Sequence, residues 1–217
     1  MLLLMSLACD SSPPPAYGGT KMSDYFAFDG SRKATFNNDD TSITWQLVVE
    51  KKAQTTVVDG REIVTMEYSN NETAEVLGSV QWSTVTGDAT WVHGYSLGAM
   101  GETITFDPPI AITDDDDAMR MGDVLETDTT DSNGVAQHYT STFTGPETPC
   151  GVTANADFDH CVVFNITDGV DDAATSPLFV GTFTLVAAYN MEKISLPAYA
   201  QQWELTQIAY TSSEDGG

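Results

Sequence analysis

The chain has 217 residues, 41% of them hydrophobic, which is enough for one domain with a sizeable core. Its 32 acidic residues against 8 basic ones give a formal net charge of −24, which repels phosphate backbones and excludes nucleic acid as an expected partner. No basic cluster exceeds Arg32-Lys33 or Lys51-Lys52, which argues against direct electrostatic docking to anionic lipid.

The first residues form the apolar run MLLLMSLA, which ends at Cys9. An apolar run that leads through a small residue to cysteine resembles the end of a bacterial lipoprotein signal. The resemblance implies a signal-peptide-like segment over residues 1–8, removed by cleavage, and a lipid on Cys9. The alternative is a buried N-terminal strand with a free thiol at this cysteine.

A linker follows the cysteine. Ser11-Ser12-Pro13-Pro14-Pro15 and Gly18-Gly19 are typical of a solvated tether. We therefore assign residues 9–22 to a flexible tether, residues 23–210 to a single β domain and residues 211–217 to a flexible tail. This organisation predicts an exported protein that its lipid anchors to a membrane, at the periplasmic or the outer cell surface.

Apolar and polar residues alternate with period two along the domain, and no window of twelve residues carries a clean helical stripe. Asp59-Gly60, Gly87-Asp88 and Asn133-Gly134 lie between alternating segments and predict hairpin turns. Around the first turn, the predicted inward faces comprise Ile43, Trp45, Leu47 and Val49, then Val64, Met66 and Tyr68.

Later segments continue this pattern. Pro108-Pro109 is expected to end the strand that begins with ETITF, and a short helix is expected in MEKISLPAYAQQ. Strands joined by tight turns predict an all-β fold, a single antiparallel domain built of hairpins, in an open barrel, a half-barrel or a sandwich. The other predicted strands are CVVFNIT, PLFVGTFTLVAA and WELTQIAY.

Five segments follow one another in order between residues 78 and 210: GSVQWSTVTGDATWVHGYSLG, ITFDPPIAI, MGDVLETDT, ADFDHCVVFNI and WELTQIAY. This order of strands and turn residues looks like that of uncharacterised β-rich lipoproteins of bacterial envelopes. The resemblance implies a β fold and supplies no catalytic residue.

Cys150 and Cys161 are predicted to form a disulfide, because a lipidated Cys9 leaves an even number of cysteines in an exported chain. No cofactor and no metal site is expected. The run Asp114–Asp117 lacks the alternating spacing of a calcium loop and reads as a solvated acidic loop. A metal site at Asp157, Asp159, His160 and Cys161 is disfavoured because consecutive side chains of a strand point to opposite faces.

The segment GYSLG matches G-x-S-x-G, the pattern around the nucleophile of α/β-hydrolases, and would make Ser96 catalytic. That motif requires a helix after the serine. Gly98 and Gly101 disfavour one, and a strand is predicted from Ile104, so we expect Gly94 and Gly98 to serve a bulge or a turn and the protein not to be an enzyme.

His93 is predicted to share a strand face with Trp91, Tyr95 and Leu97, and to be either half-buried and hydrogen-bonded or part of an aromatic-lined pocket wall. His138 is predicted to face solvent. Aromatic side chains on several strands either fill the core or line a pocket for an apolar ligand. The candidate pocket residues are Trp45, Trp82, Trp91, His93, Tyr95, Tyr139 and Phe143.

The sequence therefore predicts a lipid-anchored protein of the bacterial cell envelope that acts as a non-catalytic binding or scaffold module. Its expected partners are the membrane, through the lipid, and an apolar ligand or an envelope protein. The alternatives are an exported serine esterase that uses Ser96 and a purely structural surface protein.

Overall fold

A computed structural model gives the fold. It describes residues 25–26, 32–84, 89–114, 120–147, 161–169, 176–186, 190–199 and 201–210. The predicted signal-like segment, tether and tail, and with them the lipidation at Cys9, lie outside the described residues.

The described residues form one closed antiparallel β-barrel in which each strand pairs with its neighbours in sequence and the first strand pairs with the last. The all-β, single-domain, hairpin-built fold is thus confirmed, and its architecture is a closed barrel. Within the described residues, no helix has the length and hydropathy needed to cross a membrane. The strands are β1 Arg32–Asn38, β2 Leu47–Val58, β3 Arg61–Asn70, β4 Val76–Thr84, β5 Thr90–Leu97, β6 Ile104–Ala111, β7 Val124–Asp131, β8 Ala136–Glu147, β9 Cys161–Thr167, β10 Gly181–Val186, β11 Asn190–Leu196 and β12 Gln201–Tyr210.

The hairpin of β2 and β3 has the predicted turn. Asp59 has a φ of 51° and Gly60 a φ of 80°, and two consecutive positive φ angles are what a two-residue type I′ turn requires. The predicted inward residues Val64, Met66 and Tyr68 of β3 are all buried in the core.

The pairing of β4 with β5 contains a bulge that the alternation did not predict. Val80 and Trp82 are two residues apart on β4, but their partners Tyr95 and Val92 are three apart. The extra residue lies in the part of β5 that contains Gly94. A Cβ at Gly94 would lie 2.4 Å from the carbonyl oxygen of Ile104 on β6, so glycine permits this close approach.

The bulge corrects the predicted face of His93. Tyr95 and Leu97 pair with residues on the inward side of β4, whereas Trp91 pairs with Ser83 on the opposite side. His93 hydrogen-bonds to that same Ser83. His93 and Trp91 therefore lie on the outer face of the barrel, away from Tyr95.

The structure differs from the predicted elements in two places, at the end of β6 and in residues 191–202. β6 continues through Pro108-Pro109 to Ala111, because the barrel leaves the prolines out of its ladders and pairing with β5 resumes at Ile110. The short helix expected in residues 191–202 is reduced to a single 3₁₀ turn, and most of the described part of this segment is strand. Ile194 and Leu196 alternate inward on β11, and Pro197 begins a 3₁₀ turn, Pro197–Tyr199, that leads into β12.

Aromatic side chains fill the barrel interior. Phe179, from the connection between β9 and β10, is fully buried, and its ring centroid lies 5.3 Å from that of Tyr139 and 5.8 Å from those of Tyr95 and Phe106. The predicted strand PLFVGTFTLVAA thus begins later, at Gly181, because the residues before it pack into the lumen.

Candidate functional site

Ser96 has the surroundings of a strand residue. It lies on β5, is buried, and its Oγ atom is 2.9 Å from the Oγ atom of Ser79 on the paired strand β4. Gly98 follows with a φ of 71°, and its N–H donates to the carbonyl oxygen of Leu77, as a turn between β5 and β6 requires. A nucleophile elbow needs a helix at this point, and β6 occupies the sequence that would supply it.

Within the described residues, the seven candidate pocket residues lie in three places rather than around one cavity. Four of the seven belong to the packed core. Trp45 is half-buried and packs against Trp203, with 5.6 Å between the ring centroids. Trp91 and His93 lie on the outer face. The core group comprises Trp82, Tyr95, Tyr139 and Phe143.

His93 and Ser83 form a buried pair on the outer face of β4 and β5, with 2.6 Å between Nε2 and Oγ. Burial lowers the pKa of His93, the Arg61 guanidinium lowers it further, and the Asp59 carboxylate opposes this shift. The Arg61 guanidinium also stacks 3.7 Å from the ring centroid of Trp91. A serine beside a neutral histidine is the arrangement of an activated nucleophile, but Ser83 exposes no surface to a substrate.

A polar network lies on the inward side of β7 and β8. Asp131 Oδ1 accepts hydrogen bonds from the backbone N–H groups of Asn133 and Val135, both at 2.9 Å. Asp131 Oδ2 accepts from Gln137 Nε2 at 2.8 Å, and the Tyr139 hydroxyl donates to Gln137 Oε1. The network ties the β7–β8 turn to the aromatic core.

The two tyrosines near this network stay protonated at neutral pH. Burial raises the pKa of Tyr139 far above its usual range, and Tyr95, Asp168 and Asp131 raise it further. Burial also raises the pKa of Tyr95, with Asp131 and Asp168 adding to the shift. Both phenols can therefore donate hydrogen bonds but are poorly suited to act as bases or nucleophiles.

Side chains hold β6 and β7 together where the backbone ladder stops. The ladder consists of two residue pairs, at Phe106-Asp107 of β6. Beyond it, Thr129 Oγ1 donates to the carbonyl oxygen of Pro108 at 2.6 Å, and the N–H of Ala111 donates to Thr127 Oγ1 at 3.2 Å. We call this boundary the β6–β7 seam.

Two of the grooves on the described surface contain acidic side chains. The first, of ≈ 450 Å³, runs outside the β6–β7 seam and contains exposed His138, whose Nδ1 atom lies 2.8 Å from Asp128 Oδ1. The second, of ≈ 320 Å³, contains Asp168, whose Oδ2 accepts from Ser176 Oγ at 3.0 Å. Neither groove is lined by Trp, Tyr or Phe, so neither offers the aromatic wall that the pocket hypothesis requires.

The predicted disulfide has one member outside the described residues. Cys161 begins β9 and is completely buried beside Val186. Cys9 and Cys150 both lie outside the described residues, so the pairing of Cys161 with Cys150 stays a prediction.

Sequence reasoning missed Ser83, Arg61 and Gln137. Asp131 could have been found, because an Asp two residues before Asn133-Gly134 is a common side-chain acceptor for turn N–H groups. The pairing of Ser83 with His93 depends on the bulge in β5, and the alternation of residue types carries no sign of it.

Within the described residues, no group of three or more His, Cys, Asp or Glu side chains is placed to hold a metal ion. Asp115–Asp117 of the acidic run lie outside the described residues, as do Asp157, Asp159 and His160. Comparison of the chain with protein-family models, with curated proteins and with solved structures finds no match.

Proposed function

We propose that this chain is an exported, lipid-anchored protein of the bacterial cell envelope that acts through the outer surface of its barrel, as a binding or scaffold module without catalysis. The sequence supports the anchor, because the apolar run leads to Cys9 and a Pro/Gly/Ser tether follows. The tether would let the barrel reach partners beside the membrane.

The packed lumen is the observation that carries the choice of the outer surface. Ligand-binding barrels keep a cavity inside, whereas here rings from the wall and from Phe179 are in mutual contact. A second set of contacts joins Phe164 to Phe26 at 5.4 Å and to Phe143 at 5.3 Å. An apolar ligand among these rings would have to displace core side chains.

A titration with N-phenyl-1-naphthylamine, a fluorescent apolar probe, tests this choice. We expect no saturable binding to the native chain. Phe179→Ala removes one central ring and should create a cavity that binds toluene, detected by NMR, because a dry cavity left by a deleted apolar side chain takes small aromatic molecules. Met100→Ala, at a fully exposed position, is the matched control and should bind neither N-phenyl-1-naphthylamine nor toluene. Saturable one-to-one binding by the native chain would restore the pocket hypothesis.

The anchor and the absence of catalysis have separate tests. Intact mass of the chain expressed with a complete export signal should show lipid on Cys9, and recovery of an unmodified, soluble form would contradict the anchor.

A fluorophosphonate probe should leave Ser96 unlabelled, since its hydroxyl is hydrogen-bonded to that of Ser79 on the paired strand. Labelling that disappears in Ser96→Ala, together with loss of an esterase activity, would establish the alternative function.

A further inference from the structure

The β2–β3 hairpin extends past the end of its neighbour β1. β1 pairs with β2 from Leu47 to Glu50, whereas β3 follows β2 to Val58. In the part of the chain that the structure describes, no strand pairs with residues 53–58 on the side away from β3. We call residues 53–58 the β2 edge.

The β2 edge has the properties of a template for another strand. In an antiparallel ladder, every second residue points its N–H and C=O groups away from its partner, so half of the backbone groups of the edge face outward. Its sequence, AQTTVV, carries no charge, and all six residues are exposed. Four of the six residues are β-branched, and the side chain of Val57 is 69% exposed. Apolar side chains exposed beside an open edge favour association with another strand.

We propose that the β2 edge of one molecule pairs with the β2 edge of a second copy of this chain, antiparallel, so that one sheet continues across two barrels. Such an interface is isologous, because the same segment serves on both sides of a two-fold axis. The inference concerns the barrel itself and does not depend on the lipid anchor.

Charge favours a second copy at this place. The whole chain carries a net charge of −24, but residues 51–61 contain Lys51, Lys52 and Arg61 against the single acid Asp59. With Glu50, Glu62 and Glu67 included, the whole β2–β3 hairpin has three basic and four acidic residues, so it is close to neutral and two copies meet there with little repulsion.

The ion pairs of the hairpin indicate the register. Lys52 Nζ is held 2.7 Å from Glu67 of its own chain, whereas Lys51 has no ion pair within the described residues. With Thr55 opposite Thr55 of the second copy, the centre of the pairing lies at the end of the bulge, and Lys51 lies toward the second copy's turn, which contains Asp59.

The interface closes on itself. Once two β2 edges have paired, neither is available to a third molecule, so the expected product is a dimer. Lys51 and Lys52 and the bulge between Lys51 and Thr55 limit the length of edge that can pair.

The test uses the full chain with Cys9→Ser, which removes lipid and one route to intermolecular disulfides, in sedimentation velocity over a range of protein and NaCl concentrations. We expect a dimer that salt strengthens, because salt screens the repulsion between copies. Val57→Lys should weaken the dimer at least about tenfold, a change of about 1.4 kcal/mol, because it adds like charge to both edges. Val135→Lys, on an exposed residue of another hairpin, is the matched control and should leave the dimer unchanged. Circular dichroism melts of both variants report whether the fold is intact.

A second variant reports the register. Thr55→Cys should give a disulfide-linked dimer under mild oxidation, because opposite residues of antiparallel strands bring their Cβ atoms within about 4.5–5.5 Å. Val135→Cys should not. A chain that stays monomeric at every concentration, or a dimer that Val57→Lys leaves intact and Thr55→Cys does not cross-link, would overturn the proposal.

Discussion

The strands β4 and β7 line the same lumen with opposite chemistry. β4 points Val80 and Trp82 inward, and both are buried in the apolar core. β7 buries Thr127, Thr129 and Asp131 on its inward side. β4 also has long ladders on both sides, whereas β7 meets β6 through two residue pairs and the side-chain bonds of the β6–β7 seam.

The difference separates two ways of closing a barrel. On the β4 side, closure rests on burial, which is non-directional and tolerates any side chain of the right volume. On the β7 side, closure rests on individual hydrogen bonds, each of which needs a donor and an acceptor at one position. Volume should therefore govern substitutions at β4, and hydrogen-bonding capacity should govern them at β7.

Trp82→Ala should destabilise the β4 side of the barrel and cause the largest loss in the free energy of unfolding. Deleting a fully buried aromatic side chain removes its transfer free energy and leaves a cavity, a loss of about 3–5 kcal/mol in the free energy of unfolding. Urea denaturation at neutral pH measures the loss. Trp91→Ala, on the outer face and only half-buried, should lose clearly less. Equal losses at the two tryptophans would contradict the assignment of inner and outer faces.

Asp131→Ala should destabilise the β7 side of the barrel and lower the free energy of unfolding. It leaves the N–H groups of Asn133 and Val135 and the amide of Gln137 without their acceptor, and the loss of these three partly buried hydrogen bonds should cost about 1–3 kcal/mol in total. Asp131→Asn keeps one acceptor oxygen and should lose less in the same denaturation experiment. If alanine and asparagine are equivalent, the network does not stabilise this side.

Thr129→Val sharpens the comparison at the β6–β7 seam. Valine keeps the shape and the β propensity but deletes the hydrogen bond to Pro108, a loss of about 0.5–1.5 kcal/mol. Thr130→Val, the same change on the exposed side of β7, is the control and should be close to neutral. A seam held by its two backbone pairs alone would show no difference between the two variants.

The smallest effect concerns the pH dependence of stability and the pair of His93 with Ser83. Burial lowers the pKa of His93 in the folded state, so the unfolded state binds more protons once the pH falls through about 6.5, and the folded state loses stability there. His93→Gln retains a hydrogen-bonding side chain that does not titrate. This variant should therefore show a smaller change in melting temperature between pH 7 and pH 5 than the native chain. His138→Gln, at an exposed histidine, should retain the slope, and a slope that survives in His93→Gln would contradict the buried site as its origin.

The candidate site was only partly accessible from sequence. His138 faces solvent as its alternation predicts, and Gly94 and Gly98 serve a bulge and a turn as expected for a strand rather than an elbow. His93 and Trp91 were assigned to the wrong face, because one bulge residue inverts every inward and outward assignment on one side of it.

The amino-acid sequence by itself determined the local structure. Alternation with period two set the strands, and Asp59-Gly60 set a hairpin turn, because these signals depend on side-chain type and backbone conformation at neighbouring residues. Only the tertiary structure decided that β1 meets β12 in a closed barrel, that Phe179 fills the lumen, and that β7 turns hydroxyl groups inward. Closure depends on the summed twist and stagger of all the strands, and filling depends on the volume they enclose, so neither is carried by any one segment of the chain.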